Sequence, residues 1–236
     1  MSGPDRLAVF DIDGTLTRTN HIDNVTFRAA HAAVLGEVNI DNAWGDFTHM
    51  TDRCINAEIF QRIAGRPPSE TEVKDIQTDF VDRLRRAHAE DAAAFEAVAG
   101  AAAVLAHLLE EAGWAVALAT GGWGVSARFK LDVAGIDHAR LPGAFGHEFV
   151  SREEIVGAAI ARAAETHGVA SFKRVVSVGD GVWDVVTARA MALPFVGVAE
   201  EDKAKDLKGA GAARVVPHYG DPVAVVEILD KAEVPR

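Results

Sequence analysis

The sequence has few of the residues that cross-link a chain or attach it to charged or apolar surfaces. Cys54 is the only cysteine, so the chain cannot form an internal disulfide; this suits a reducing compartment, and we expect a cytoplasmic protein. The chain has 24 Lys and Arg residues against 35 Asp and Glu, a net charge of −11. Nucleic acids and anionic membranes are bound by clustered positive charge, so neither is expected as a partner. The longest apolar stretch, residues 97–109, is too short to span a bilayer.

The apolar residues that the chain does contain fall into patterns that predict regular structure. Of its 236 residues, 49% are hydrophobic, enough to bury a sizeable core. Near the amino terminus, the apolar run 7–10 leads into the string DIDGT at positions 11–15. An apolar run closed by carboxylates and a glycine is typical of a buried strand that ends at a ligand site. Because strand side chains alternate, Asp11 and Asp13 should point to the same side.

Two other structures also place acids beside a glycine. One is a solvated turn after a strand, where Asp-Gly pairs are common. The other is a calcium-binding loop, which requires glycine at its sixth position and glutamate at its twelfth. Counted from Asp11, Gly14 is fourth and Ile22 is twelfth. The calcium loop is therefore excluded, and the solvated turn stays an alternative.

After the acidic string the pattern becomes helical. Apolar positions at spacings of three and four predict helices over 23–35 and 52–64, each followed by a glycine. A third helix begins after the capping box of Ser69 and Glu72. Three amphipathic helices should pack as a small bundle, since none can bury its apolar face alone. We assign residues 17–95 to this helical unit.

From residue 96 onward helices and strands alternate, as in a parallel sheet covered on both faces. The predicted strands are 114–120, 145–150, 174–178, 195–198 and 214–216. The predicted helices are 101–112, 125–134, 151–166, 182–190, 202–208 and 222–231. The fold class that follows is α/β, with a Rossmann-like parallel sheet in a three-layer α/β/α core. The core is discontinuous, covering 1–16 and 96–236, and the helical unit is inserted in it.

Polar groups also follow two of the later strands. One strand ends at Thr120 and Gly121, a hydroxyl and an amide that suit either an anion or a helix cap. The strand 174–178 runs into Asp180 and Asp184. Together with the two acids of the first string, these would place four carboxylates in one cleft, where they repel one another unless a cation is bound. Oxygen ligands of this kind suit Mg²⁺.

The strings DIDGT at 11–15 and GDGVWD at 179–184, with the Thr120-Gly121 turn between them, resemble the motifs of the haloacid dehalogenase-like (HAD) hydrolases. The helical insertion is similar to the cap of the phosphoglycolate phosphatase and β-phosphoglucomutase subgroup. The resemblance implies a Mg²⁺-dependent phosphatase in which Asp11 is the nucleophile and Asp13 the general acid and base.

The same resemblance implies two sets of binding residues. The phosphoryl-binding set would be Gly14, Thr15, Thr120, Gly121 and Arg152. The metal-binding set would be Asp11, the Asp13 backbone carbonyl, Asp180 and Asp184, the last acting through water or by orienting a neighbour.

Arg152 is the candidate for the cation that the family places ahead of its last motif. It follows Ser151, which forms a capping box with Glu154, so Arg152 occupies the first helical position, where the helix dipole disfavours positive charge. The alternative is an exposed arginine compensated by Glu153. Of the competing cations, Lys130 is expected to point away from the pocket. Lys173 is expected at the opposite end of its strand.

The function that this pattern favours is hydrolysis of a small phosphorylated metabolite through an aspartyl-phosphate intermediate, by a monomer or homodimer. A phosphomutase of the same family is the first alternative, and a non-catalytic binding protein on the same fold is the second. The dinucleotide fingerprint at 122–127 is weak, because no acid follows at a strand end. For substrate choice we predict the loop 47–53, with Thr51 and Arg53 facing the pocket; an ordinary helix-capping turn is the alternative.

Overall fold

The computed structural model describes residues 3–36 and 47–236. Positions 1 and 2 belong to the predicted core, and positions 37–46 belong to the predicted insertion. Both stretches lie outside the described residues.

Six parallel strands form one sheet in the order β3-β2-β1-β4-β5-β6. They are β1 (Arg6–Phe10), β2 (Trp114–Thr120), β3 (Gly143–Phe145), β4 (Arg174–Gly179), β5 (Phe195–Val198) and β6 (Val215–Val216). Every residue of β2 is buried, as expected of a strand with helices on both faces. The predicted α/β fold with a Rossmann-like parallel sheet is confirmed.

The register of the three central strands brings the predicted motifs together. Phe10, the last residue of β1, pairs with Leu118 of β2 on one side and with Val178 of β4 on the other. The next residue, Asp11, donates its backbone N–H to the Val178 carbonyl at 2.9 Å. The sheet order reverses at β1, the position where open α/β sheets bind ligands beyond the carboxyl ends of their strands.

Six helices cover the two faces of the sheet. They are α4 (Ala101–Glu110), α5 (Gly124–Val133), α6 (Arg152–His167), α7 (Val182–Ala190), α8 (Glu201–Gly209) and α9 (Pro222–Asp230). Alternate residues of β1 enter different layers. Ala8 and Phe10 pack with α4, α5 and α9, whereas Leu7 and Val9 pack with α6. This alternation follows from the two-residue period of a strand and gives the three-layer core.

Between β1 and α4 the described residues form three further helices, α1 (Asn20–Leu35), α2 (Asp52–Ala64) and α3 (Glu70–Glu90), followed by a 3₁₀ helix over Ala92–Phe95. The chain leaves and re-enters the sheet layer at one place, since Thr17 forms a bridge with Ala97. The predicted capping box at the start of α3 is present, with Ser69 accepting from the Glu72 N–H. None of the helices in the described ranges has the length and apolar character needed to cross a bilayer.

The third strand differs from its prediction. It covers Gly143–Phe145 instead of 145–150, because the chain turns immediately after Phe145. The Gly146 N–H donates to the Gly122 carbonyl at 2.9 Å, and a Cβ on Gly146 would lie 1.7 Å from the Gly121 carbonyl oxygen. The loops that follow β2 and β3 are therefore in direct backbone contact, which ends the strand.

An aromatic cluster joins α1 and α3 to the loop before α5. Phe80 is fully buried and meets Phe27 and Trp123 edge-on, with ring centroids 5.6 and 5.9 Å apart. Trp123 comes from the core part of the sequence, so the inserted helices and the core share one apolar cluster.

Replacing Phe80 with Ala should lower the free energy of unfolding by about 3–5 kcal/mol, the usual cost of emptying a buried aromatic site. Urea denaturation would measure the loss. The control is Val25→Ala in α1, where the side chain is 49% exposed and a change within about 0.5 kcal/mol is expected. Equal, small losses for both variants would contradict a shared cluster.

Candidate active site

A cavity of about 280 Å³ lies at the carboxyl ends of β1, β2 and β4, beneath α1 and the start of α2. Its lining includes Asp11, Asp13, Thr120, Arg152 and Asp180. Side chains that are far apart in the sequence meet here because the strands that carry them are neighbours in the sheet.

Three buried carboxylates form the floor of this site. Oxygens of Asp11, Asp180 and Asp184 all lie within 4.8 Å of one another. Burial and the charge of Asp184 raise the pKa of Asp11 well above its ordinary value. Burial likewise raises the pKa of Asp180 to about 6, although Lys203 opposes the shift. An oxygen-only donor set that is strained by its own charge fits a hard divalent cation such as Mg²⁺.

Arg152 lies inside this acidic cluster. Its Nη2 donates to Asp11 Oδ1 at 3.3 Å and also to Asp184 Oδ1. Its Nη1 donates to the Met50 carbonyl at 3.3 Å. Asp184 is also held from its other side, because the Gly181 N–H donates to Oδ2 at 3.0 Å. Asp184 thus orients Arg152, which is 8% exposed and so is not a surface residue at the helix start.

Two glycines permit the close approach of the loops around the cavity. Gly14 has a φ of +77°, and a Cβ there would lie 1.8 Å from Asp180 Oδ2. A Cβ on Gly121 would lie 2.3 Å from the Met50 carbonyl oxygen. Only glycine allows the loop after β1 to reach Asp180 and the loop before α2 to rest on the end of β2.

The two predicted hydroxyl groups have different surroundings. The Thr120 hydroxyl accepts from the Gly122 N–H at 3.2 Å and lines the cavity, so its own proton can be donated to an anion. Thr15 is fully buried, and its hydroxyl donates to Asp11 Oδ2 at 3.4 Å. Thr15 therefore contacts the Asp11 carboxylate directly.

Lys130 is a part of the site that the sequence interpretation placed elsewhere. Its Nζ donates to Asp13 Oδ2 and to Asp23 Oδ1, both at 2.6 Å. The prediction that it points away from the pocket was wrong. The helix α5 begins at the pocket, and helical side chains lean toward the N-terminus, so the long stem of Lys130 reaches back.

Lys130 keeps its charge because two acidic side chains contact its ammonium group. Burial alone would lower the pKa of Lys130, but Asp13 and Asp23 raise it above its usual value. Burial raises the pKa of Asp23 to about 6, against the opposing charge of Lys130. The ammonium group is therefore charged at neutral pH and pairs with two carboxylates.

The loop before α2 presents different residues from those predicted. Thr51 caps the helix, with its hydroxyl 3.3 Å from the Cys54 N–H, and donates to the Val150 carbonyl at 2.8 Å. Arg53 donates to the Glu148 carbonyl at 3.1 Å. Within this loop, Met50 and Asp52 are the residues that line the cavity. Thr51 is extended, so residues on either side of it face the opposite way.

Several other residues at the site belong to none of the sequence motifs. Asn20 donates to Asp180 Oδ2 at 2.7 Å, and Lys203 of α8 donates to the same oxygen. Burial raises the pKa of Asp52 well above its ordinary value, and Asp52 Oδ2 accepts from the Trp123 N–H at 2.7 Å. Lys173 pairs with Asp5 at the other end of the sheet, 3.0 Å away.

A family model for haloacid dehalogenase-like hydrolases matches residues 6–192 of this sequence. The chain belongs to the haloacid dehalogenase-like (HAD) hydrolase family. It is therefore an enzyme of the hydrolase class, and the predicted resemblance is confirmed. No curated protein sequence matches this HAD hydrolase.

Solved structures similar to this HAD hydrolase include a hydrolase from Pseudomonas syringae, at 21% identity and a TM-score of 0.66 over 98% of this chain and 99% of that one. A candidate beta-phosphoglucomutase from Bacteroides vulgatus has 18% identity and a TM-score of 0.66, over 98% and 91%. A predicted phosphoglycolate phosphatase from Haemophilus somnus has 16% identity and a TM-score of 0.59, over 93% and 97%. At these identities the likeness shows the fold alone.

The glycine-rich segment 122–127 of this HAD hydrolase is occupied by contacts within the chain. The Trp123 N–H is bonded to Asp52, and the Gly124 N–H donates to His147 Nδ1 at 3.3 Å. The Trp123 ring is buried in the aromatic cluster. These amides are engaged already, so the segment does not present a dinucleotide-binding loop.

Replacing Arg152 with Met should destabilise the protein more at pH 7 than at pH 4. At pH 4 the folded Asp11 carboxyl is neutral with or without Arg152, because burial raises its pKa well above the ordinary 3.8. As the pH rises, the wild-type carboxyl can ionise beside Arg152, whereas the variant must keep the proton or bury a charge that has no cation beside it. Removing one partner of a buried ion pair costs about 3 kcal/mol or more at neutral pH.

Urea denaturation in the presence of a chelator would give the two free energies. The exposed Arg140→Met is the matched control and should change neither by more than about 0.5 kcal/mol. A loss of the same size at pH 4 and pH 7 would show that Arg152 contributes through packing alone.

Proposed function

We propose that this HAD hydrolase is a Mg²⁺-dependent phosphatase that cleaves a small phosphomonoester through an aspartyl-phosphate intermediate. The observation that carries the proposal is one cavity that contains two acids of different roles and an anion-binding end. Asp11 and Asp13 line it from the loop after β1, Thr120 from the end of β2 and Arg152 from the start of α6.

The donor set at the cavity floor supports a metal site. Asp11, the backbone carbonyl of Asp13 and Asp180 would hold the ion, while Asp184 is engaged by Arg152 and the Gly181 N–H. When bound, Mg²⁺ would offset the carboxylate repulsion and the negative charge of the phosphoryl oxygens.

In the first step, a carboxylate oxygen of Asp11 forms a bond to phosphorus as the bond from phosphorus to the ester oxygen breaks. Asp13 gives a proton to that departing oxygen, so an alcohol leaves. Arg152, 3.3 Å from Asp11 Oδ1, and the Thr120 hydroxyl would bind the phosphoryl oxygens on either side of the nucleophile.

In the second step, Asp13 takes a proton from a water molecule whose oxygen attacks phosphorus. The bond between phosphorus and the Asp11 carboxyl oxygen breaks, which releases phosphate and regenerates the Asp11 carboxylate. Each proton that Asp13 gives in the first step is recovered in the second.

The inserted helices would decide which ester enters. We propose residues 17–95 as a cap on a core made of 1–16 and 96–236, supported by the bridge between Thr17 and Ala97 at the boundary. Cap residues that line the cavity include Asn24, Phe27 and Asp52. A volume of about 280 Å³ suits a small metabolite. A panel of phosphorylated metabolites, scored for released phosphate and for transfer to sugar phosphates, would separate a phosphatase from a phosphomutase.

Asp11→Asn should abolish turnover, because a neutral amide cannot act as the nucleophile. Phosphate release measured with para-nitrophenyl phosphate should fall to background. Mass spectrometry of the wild-type enzyme, quenched in acid during turnover, should place a phosphoryl group on Asp11. Ordinary turnover in the variant would remove the basis of the proposal.

Addition of Mg²⁺ should raise the melting temperature of the wild-type protein, because a cation that binds only the folded chain stabilises it by mass action. Asp180→Asn should remove that rise, since it takes away a ligand. Asp206→Asn, an exposed acid on α8, is the control and should retain it. An unchanged rise in Asp180→Asn would contradict the assignment of this ligand.

A further inference from the structure

Lys130 is a fully buried lysine on α5, and none of the proposed chemical steps uses it. Its neighbours on the same face of α5, Ala127 and Leu131, are also fully buried. Burying an ammonium group is costly unless it is paired. It persists here because it lies between two carboxylates, at 2.6 Å from each.

The Asp13 carboxyl group is held at both of its oxygens by two separate parts of the chain. Lys130 of α5 donates to Oδ2, and the hydroxyl of Thr19, the residue before α1, donates to Oδ1 at 2.5 Å. Two fixed contacts on a planar group set its direction as well as its place. A proton-transferring group must lie within about 2.6–3.2 Å of the atom with which it exchanges the proton, and fixed contacts hold the carboxyl group in one such position.

Asp23 holds Lys130 from the other side. It lies in the first turn of α1, and its Oδ1 accepts from the same Nζ that contacts Asp13. The Asp23 side chain lines the cavity together with Asp13. The Lys130 side chain, from the last turn of α5, thus links the loop after β1 to α1.

We propose that Lys130 is a positioning residue, which with Asp23 as its anchor aims the Asp13 carboxyl at the leaving-group oxygen. The inference rests on the proposed function, because it assigns Lys130 to the proton-transfer part of that chemistry. The structure supports this role through contacts at both ends of the lysine, and Lys130 itself does not line the cavity.

The test is the dependence of kcat/KM on the leaving group, since kcat/KM reports the steps up to formation of the aspartyl phosphate. A simple alkyl phosphate requires protonation of the departing oxygen, whereas the weakly basic para-nitrophenolate departs with little help. Lys130→Met should lower kcat/KM about 100-fold for the alkyl ester and less than about 10-fold for para-nitrophenyl phosphate.

A second readout comes from the hydrolysis of the intermediate. With Asp13 no longer aimed, water attack should become slow, so Lys130→Met should release a burst of nitrophenol close to one equivalent per enzyme before a slow steady state. Lys130→Arg, which restores the charge with different geometry, should recover part of the leaving-group selectivity. Lys173→Met, an 82% exposed lysine at the far end of the sheet, should behave like the wild type.

Folding of the variant is checked by its rise in melting temperature with Mg²⁺, since Lys130 is not among the proposed ligands. If that rise is retained and kcat/KM falls equally for both esters, Lys130 is structural and the inference is overturned. If Lys130→Met does not fold, Lys130→Arg and Asp23→Asn are judged by the same ratio of the two esters, and an unchanged ratio in both overturns it. A wild-type enzyme without phosphatase activity would overturn the proposed function, and this inference with it.

Discussion

Mutual repulsion among carboxylates at one edge of the sheet is the constraint on which the rest of this structure depends. Asp11, Asp180 and Asp184 are buried within 4.8 Å of one another, and the pKa values of the first two are raised. Such a cluster cannot stay ionised unless positive charge is brought to it. Arg152, Lys203 and the Gly181 N–H are the groups around the cavity that bring positive charge or a backbone donor to these three carboxylates.

Three cations reach this edge from three helices. Arg152 comes from the first position of α6, Lys130 from the last turn of α5 and Lys203 from α8. Arg152 is shared by the nucleophile candidate and Asp184, and Lys130 is shared by Asp13 and Asp23. The charges therefore connect the helices to the loops after the strands, and removing Arg152 or Lys130 takes the cation away from two carboxylates at once.

The inserted helices are tied to the same place by apolar contacts. Trp123 lies in the loop after β2. Its ring packs against Phe27 of α1, with ring centroids 5.4 Å apart, and against Phe80 of α3. The backbone N–H of Trp123 donates to the Asp52 carboxylate at the start of α2. One residue of the loop after β2 thus contacts α1, α2 and α3 beside the cavity, so the shape of the cavity depends on how these helices pack.

The sequence by itself determined the fold class and the strand-end motifs, because short apolar runs followed by polar strings identify parallel strands and their ligand-binding ends. It also contained an unused signal for Lys130, which falls on the apolar stripe of α5 with Ala127 and Leu131, where a charge requires a buried partner. Only the tertiary structure decided which partners those were. Asp13 and Asp23 meet Lys130 because the loop after β1 and the first turn of α1 both lie against α5, and the third strand stops at Phe145 because two loops touch through glycines. Sequence periodicity records which side of an element is buried, whereas the partner across the interface depends on how elements are stacked.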